Sequence, residues 1–342
     1  GARGFDAVCL YCEHNLEIMM ENTEKIVFLY KKENIPDQII EKAKKQTPLG
    51  FELVLCEAQM PEEERRLHAA EADYFMLYTV GFDDVKIAKK AKLMQILSAG
   101  YDRLNVPELA EAGIPLATNG GANAPTVAEH VLLLILSLYR KLPLHHTALK
   151  SGTWLGHQEV LGLNELRGKQ VGIVGFGKIG QEVARMVNGF LASVVYYDVY
   201  KAPDDVEKNL NARQVGLDEL LSTSDIITLH TPLTETSRGL INSNALKSMK
   251  SSAILINTAR GAAVVEKDLV DALKNKVIAG AGLDVFEIEP LNDSLLFQFD
   301  NVVMTPHTAG STIDTWWRRL DFAFANIERV SKGKDPLFVV EP

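Results

Sequence analysis

A chain of 342 residues is too long for one comfortable hydrophobic core, so two domains are the first expectation. With 46% apolar and 24% charged residues it reads as an ordinary globular protein, and a formal charge of -9 disfavours nucleic acid or an anionic membrane as a partner while leaving room for a small anionic substrate. No apolar run approaches the ~18–20 residues of a membrane span, and three cysteines argue against a disulfide framework and fit a reducing, cytoplasmic setting.

Residues 1–24 resist assignment and stand as an N-terminal extension. Asp6, Glu13, Glu17, Glu21 and Glu24 interrupt them, which argues against a signal peptide. Cys9-Leu-Tyr-Cys12, followed by His14, offers one ligand pair without a second, so no metal is expected there. From residue 25 the text alternates between strand and helix. Strands are expected at 25–30, 51–55, 74–78, 93–97 and 114–118, and helices at 35–46, 61–71 and 83–91. Such alternation implies a parallel sheet with helices on both faces, here without a phosphate-binding glycine loop.

Pro125 and Thr126 open a long helix, with Thr126 and Glu129 at capping-box spacing. Val127 and residues 131–138 make it apolar almost all round, so burial between domains is expected; His130 reads as a satisfied helix histidine. Residues 141–169 are expected to be irregular and polar, anchored by Trp154, with a partner subunit as one surface it could meet.

Val171-Gly-Ile-Val-Gly175-Phe-Gly177-Lys-Ile-Gly180 then runs from strand through a glycine turn into a helix. Gly175 permits the tight turn, Gly177 lets the backbone approach a pyrophosphate, and Gly180 lets helix and strand pack closely. In the helix to residue 190, Ile179, Val183, Met186, Val187 and Phe190 share one face. The next strand ends in Asp198, 18 residues after Gly180, where a carboxylate can take the adenosine ribose hydroxyls of NAD. Four further strands, at 225–230, 253–257, 278–284 and 302–304, bring this second sheet to six. The helix from 313 to 330 carries the chain beyond it, so the first domain is expected to be built from both termini.

Ligands of open α/β sheets sit outside the carboxyl ends of the strands. The loops there carry Arg260, Glu289 and His307 in succession, a set suited to reducing a 2-oxo acid. Arg260 offers a two-pronged donor for the carboxylate and carbonyl, His307 a proton donor near neutral pH, and Glu289 a carboxylate to orient the imidazole. Asp284, nearer its strand end, suits the nicotinamide amide or ribose. Trp316 and Arg318, at the start of the last helix, read as packing residues with the substrate as a second option.

These segments together resemble the D-isomer-specific 2-hydroxyacid dehydrogenase family. The matching residues are GFGKIG (175–180), HTPLTETSRGLIN (230–242), INTARG (256–261), GLDVFEIEP (282–290) and TPHTAG (305–310), joined by SAGYDRLNV (98–106) and NAPTVAEH (123–130). The resemblance, from about residue 25 onward, implies two open, doubly wound parallel-sheet α/β domains. A Rossmann NAD-binding domain (125–312) would be inserted into a flavodoxin-like substrate domain (25–124 and 313–342). It implies an Arg260, Glu289, His307 catalytic trio in an NAD-dependent oxidoreductase acting on a small 2-oxo acid such as glyoxylate, hydroxypyruvate or pyruvate. Cofactor contacts are implied at Gly175, Gly177, Lys178, Ile179, Gly180, Asp198, Thr231, Pro232, Ser237, Thr258, Ala259, Arg260, Asp284, His307 and Gly310. Substrate contacts are implied at Tyr78, Ser98, Ala99, Gly100, Arg260 and His307, in a homodimer. Ser237 stands where threonine is commoner. Asp198 favours NAD over NADP, with Lys201 leaving room for dual use. A nicotinamide-sensing corepressor and a formate or phosphite dehydrogenase are the rival readings.

Overall fold

The structure, a computed structural model, describes residues 23–158 and 160–341; Cys9, Cys12 and His14 lie outside the described residues. It divides into two compact units: residues up to Ala122 with those from Ile313 form one, and Asn123–Thr312 the other.

In the first unit, β1 (Glu24–Tyr30), β2 (Phe51–Glu57), β3 (Tyr74–Tyr78), β4 (Leu93–Ile96) and β5 (Leu116–Ala117) make a parallel sheet in the order β2-β1-β3-β4-β5. The alternation along β1 shows why helices cover both faces. Ile26, Phe28 and Tyr30 point to one side, against α1 (Asp37–Gln46) and Ile313–Ser331, the last helix. Val27 and Leu29 point to the other, against α2 (Glu62–Glu71) and α3 (Val106–Glu111). The helix expected at 83–91 is instead a set of tight turns, with Ala88 N–H donating to Asp84 and Val85. Only Val85 and Ala88 of that stretch are fully buried, too few apolar positions to pack a helix that short.

The second unit opens with α4 (Ala124–Tyr139) and α5 (Leu142–Lys150). The stretch 141–169 is therefore not wholly irregular as expected, because Pro143 sits in the first turn of α5, where its missing N–H costs nothing. Trp154 does not anchor it within the chain; it is 79% exposed. The sheet holds β6 (Gln170–Val174), β7 (Ser193–Tyr197), β8 (Ala212–Gln214), β9 (Ile226–Leu229), β10 (Ile254–Asn257), β11 (Gly280–Leu283) and β12 (Val302–Met304). All are parallel, in the order β12-β11-β10-β9-β6-β7-β8. It has seven strands where six were expected; the extra one, β8, is a three-residue edge strand, too short to show a period of two.

Helix α6 (Lys178–Gly189) follows β6 and packs with α4 on one face of this sheet. Its face buries Val183, Ala184 and Val187, but Phe190, expected on that face, closes the helix at 42% exposure. On the other face lie α8 (Leu217–Thr223), α9 (Ser243–Ser248) and α10 (Glu266–Lys274), with α7 (Asp204–Asn209) beside β8. The direction of winding reverses between β6 and β9, so the loops leaving these two strands diverge and open a crevice.

Candidate active site

The crevice is built from glycine. Gly175 has φ 92, and a Cβ there would lie 2.7 Å from the His230 carbonyl carbon, so only glycine lets the loop after β6 touch the loop after β9. At Gly180 a Cβ would collide with the Gly175 carbonyl oxygen. Gly177 differs: with φ -74 and nothing within 4 Å of its added Cβ, its own chain gives no reason for a glycine. It is the N-cap of α6 and supplies no side-chain cap to the helix N-terminus, the end of a helix that suits an anion.

Several polar atoms around the crevice lack partners. Thr231 Oγ1, Thr258 Oγ1 and His230 Nδ1 are buried without a hydrogen bond, a cost that a bound polar group would remove. Burial pushes the His230 imidazole down to about 3, so it stays neutral; its Nε2 lies 2.9 Å from Thr228 Oγ1. Asp198, at the end of β7, accepts from the Phe176 N–H at 2.7 Å and the Tyr200 N–H at 3.2 Å, which holds its carboxylate against the glycine loop. An open helix N-terminus, a bare glycine, unpartnered hydroxyls and a fixed carboxylate fit a dinucleotide. The Ser237 hydroxyl donates to Pro232 O at 2.6 Å and accepts from Thr234 N–H at 2.7 Å, closing its own loop.

Past β10, β11 and β12 stand the three ionisable groups. His307 Nδ1 lies 2.7 Å from Glu289 Oε2, and Glu289 Oε1 accepts the Phe286 N–H at 3.1 Å. Burial works to raise the Glu289 carboxyl, but the His307 hydrogen bond, the Phe286 amide and the Arg260 charge outweigh it and hold the group below its ordinary value. Arg260 is brought close by Gly261, where any side chain would overlap the Phe286 carbonyl. Its loop is tied by Asn257, which donates to Arg260 O at 2.9 Å and accepts from Ala259 N–H at 3.1 Å; Arg260 itself donates to Ala259 O at 2.7 Å. Asn257 was absent from the expected site, although a polar residue ending an apolar strand is a signal for it. The His307 side chain is 53% exposed.

Asp284 is 1% exposed, and its carboxylate accepts from Thr308 N–H and Ala309 N–H, both at 2.9 Å. Its first task is thus to hold the 305–309 turn. Lys178 and Ile179 begin α6, Thr231 and Pro232 follow β9, Thr258 and Ala259 follow β10, and Gly310 closes the turn after β12.

The expected substrate contacts outside this unit follow strands of the first sheet. Ser98, Ala99 and Gly100 follow β4, with Ser98 Oγ donating to Gly100 O at 2.8 Å. Tyr78 ends β3, buried beside Trp316 with ring centres 4.5 Å apart and its hydroxyl 3.4 Å from Arg319 Nη1. Trp316 is accordingly a packing residue, and Arg318 Nε donates to Ala122 O at 2.9 Å. Among the described residues no three His, Cys, Asp or Glu side chains converge as a metal site, and no helix is long and apolar enough to cross a membrane.

Residues 132–309 match the family described as D-isomer specific 2-hydroxyacid dehydrogenase, NAD binding domain. A glyoxylate reductase of Thermofilum pendens is 39% identical over 252 residues, covering 73% of this chain and 74% of that protein. A hydroxypyruvate reductase of Thermotoga maritima is 36% identical over 269 residues, covering 77% and 86%. Among solved structures, an acyclic imino acid reductase in complex with NADPH and D-Arg superposes with a TM-score of 0.80 at 28% identity, covering 93% of this chain and 100% of that one.

Proposed function

The chain belongs to the D-isomer-specific 2-hydroxyacid dehydrogenase family, an oxidoreductase family of 2-oxo and 2-hydroxy acids with a nicotinamide cofactor, and on that premise we propose that it reduces small 2-oxo acids, glyoxylate and hydroxypyruvate foremost, with NADH. The observation that carries the reading is the His307–Glu289 pair at 2.7 Å, with the Arg260 charge acting on the same carboxylate.

Because Nδ1 of His307 faces Glu289, Nε2 is the nitrogen left to meet substrate. Arg260 grips the substrate carboxylate and polarises the neighbouring carbonyl. When bound, a dihydronicotinamide supplies the hydride to the carbonyl carbon. His307 gives its Nε2 proton to the carbonyl oxygen and is left neutral, and Glu289 stabilises the cationic imidazole beforehand. The amides at the start of α6 and the Thr231 and Thr258 hydroxyls hold the dinucleotide, and the amides near Ser98, Ala99 and Gly100 hold the substrate carboxylate. The decisive experiment follows NADH absorbance with a panel of 2-oxo acids; no oxidation with any of them, despite NADH binding, would favour the corepressor-like reading. Arg260→Lys keeps the charge and loses the fork, so KM for the 2-oxo acid should rise about 10- to 100-fold in steady-state kinetics.

NAD is favoured over NADP. The Asp198 carboxylate repels a 2′-phosphate, and Lys201 is engaged by Asp204 at 2.7 Å and Glu207 at 3.5 Å. Asp198→Ser should lower the NADH-to-NADPH ratio of kcat/KM by about tenfold or more, a shift of about 1.4 kcal/mol per factor of ten.

A homodimer is supported by exposed apolar residues gathered on and after α5: Leu142, Leu149, Trp154, Val160 and Leu161, the last 100% exposed. Light scattering coupled to size exclusion should return twice the chain mass, and Leu161→Glu should lower it.

A further inference from the structure

Behind the His307 turn lies a chain of side chains that the proposed reaction does not use. His130 Nε2, on α4, is 2.9 Å from Thr305 Oγ1, and Thr305 Oγ1 donates to Asp284 Oδ1 at 2.6 Å. A carboxylate only accepts hydrogen bonds, so the Thr305 hydroxyl gives its proton to Asp284 and turns a lone pair toward His130. Nε2 of His130 must then carry hydrogen, which sets the direction of the whole relay: His130 to Thr305 to Asp284.

Asp284 supports the turn twice. Its carbonyl oxygen accepts the His307 N–H at 2.8 Å, and its carboxylate accepts Thr308 and Ala309 N–H. The support matters because His307 has φ 55, a left-handed conformation that is unfavourable for a non-glycine residue and persists only where neighbours over-determine it. His130 is the far end of that support, 175 residues away in sequence from the hydroxyl it holds.

We propose that His130 is a positioning residue: through Thr305 it fixes the Asp284 carboxylate, and thereby the backbone that aims the His307 imidazole. The inference rests on His307 being the acid of the proposed reaction. It differs from a helix histidine that merely fills space, because it acts through a donated hydrogen at one atom.

The test compares His130→Phe, which keeps a ring and loses the donor, with His130→Gln, which keeps an N–H at similar reach. Amide hydrogen exchange at Thr308 and Ala309 is read alongside kcat, KM and melting temperature. In His130→Phe the two amides should exchange about tenfold faster and kcat should fall about tenfold or more, because a displacement of an ångström at a reacting group has effects of that order or larger. KM for the 2-oxo acid should stay within about threefold, since Arg260 hangs from β10 and Asn257. His130→Gln should return both exchange and kcat most of the way. Unchanged exchange and turnover in His130→Phe would overturn the proposal, as would a glutamine variant no better than phenylalanine. If the wild type reduces no 2-oxo acid, the reaction reading falls, yet the exchange measurement still decides whether His130 holds the turn. Should His130→Phe fail to fold, Thr305→Val breaks the same relay, and unchanged protection of Thr308 and Ala309 there overturns the proposal equally.

Discussion

His307→Ala is expected to lower turnover by about 10²–10⁴-fold, the usual worth of a positioned general acid, while the NADH dissociation constant moves by no more than about threefold. Stopped-flow turnover and NADH fluorescence titration measure the two separately. The reason for the split is where the groups sit: the imidazole follows β12, whereas the proposed dinucleotide cradle is made by the loops after β6, β9 and β10. Loss of both in parallel would place His307 in cofactor binding instead. The same pair sets an acid limit. Glu289 is held below its ordinary value of 4.5, so its carboxylate stabilises the fold above that pH, and this contribution is lost as pH falls through the lower folded-state value. Turnover should therefore not fail on account of Glu289 until the solution is more acid than pH 4.5, and Glu289→Gln should remove that limb of the profile.

Gly261→Ala is expected to destabilise the protein by about 3 kcal/mol or more, because the new methyl group would occupy the Phe286 carbonyl and backbone cannot move aside as a flexible side chain can. For a unit of this size that corresponds to a melting temperature lower by roughly 6–12 °C. Activity should fall with it, since the Arg260 loop and the Glu289 loop meet at that point. Gly177→Ala is the contrasting variant. Its Cβ meets nothing, so calorimetry should find stability within about 1 kcal/mol of wild type, while NADH binding should weaken, because the proposed reading brings the pyrophosphate to that point. Equal destabilisation by both substitutions would contradict the distinction between a glycine needed by the fold and one needed by a ligand.

The two glycines show what kind of information the chain carries locally. The spacing of Gly175, Gly177 and Gly180 between an apolar strand and an amphipathic helix announces the cradle, because strand, turn and helix are each made by neighbours in sequence. Arg260, Glu289 and His307 are legible for a related reason: each lies in the loop that leaves a strand, three to six residues past its end, and parallel strands all deliver their loops to one side. Local signals also mislead where packing has the last word. Residues 83–91 read as a helix but have too little to bury, and residues 142–150 read as irregular but form α5.

What the residues determined alone was the alternation of strands and helices, the glycine turn, and the family that those motifs resemble. What the tertiary structure decided was which polar group answers which. That Ser237 closes its own loop, that Asn257 ties down Arg260, and that His130 reaches Asp284 through Thr305 are pairings among residues up to 175 positions apart. No periodicity encodes them: the first two are closed within their own turns, and the third depends on distances of a few ångströms that exist only once the sheet has set the order of its strands.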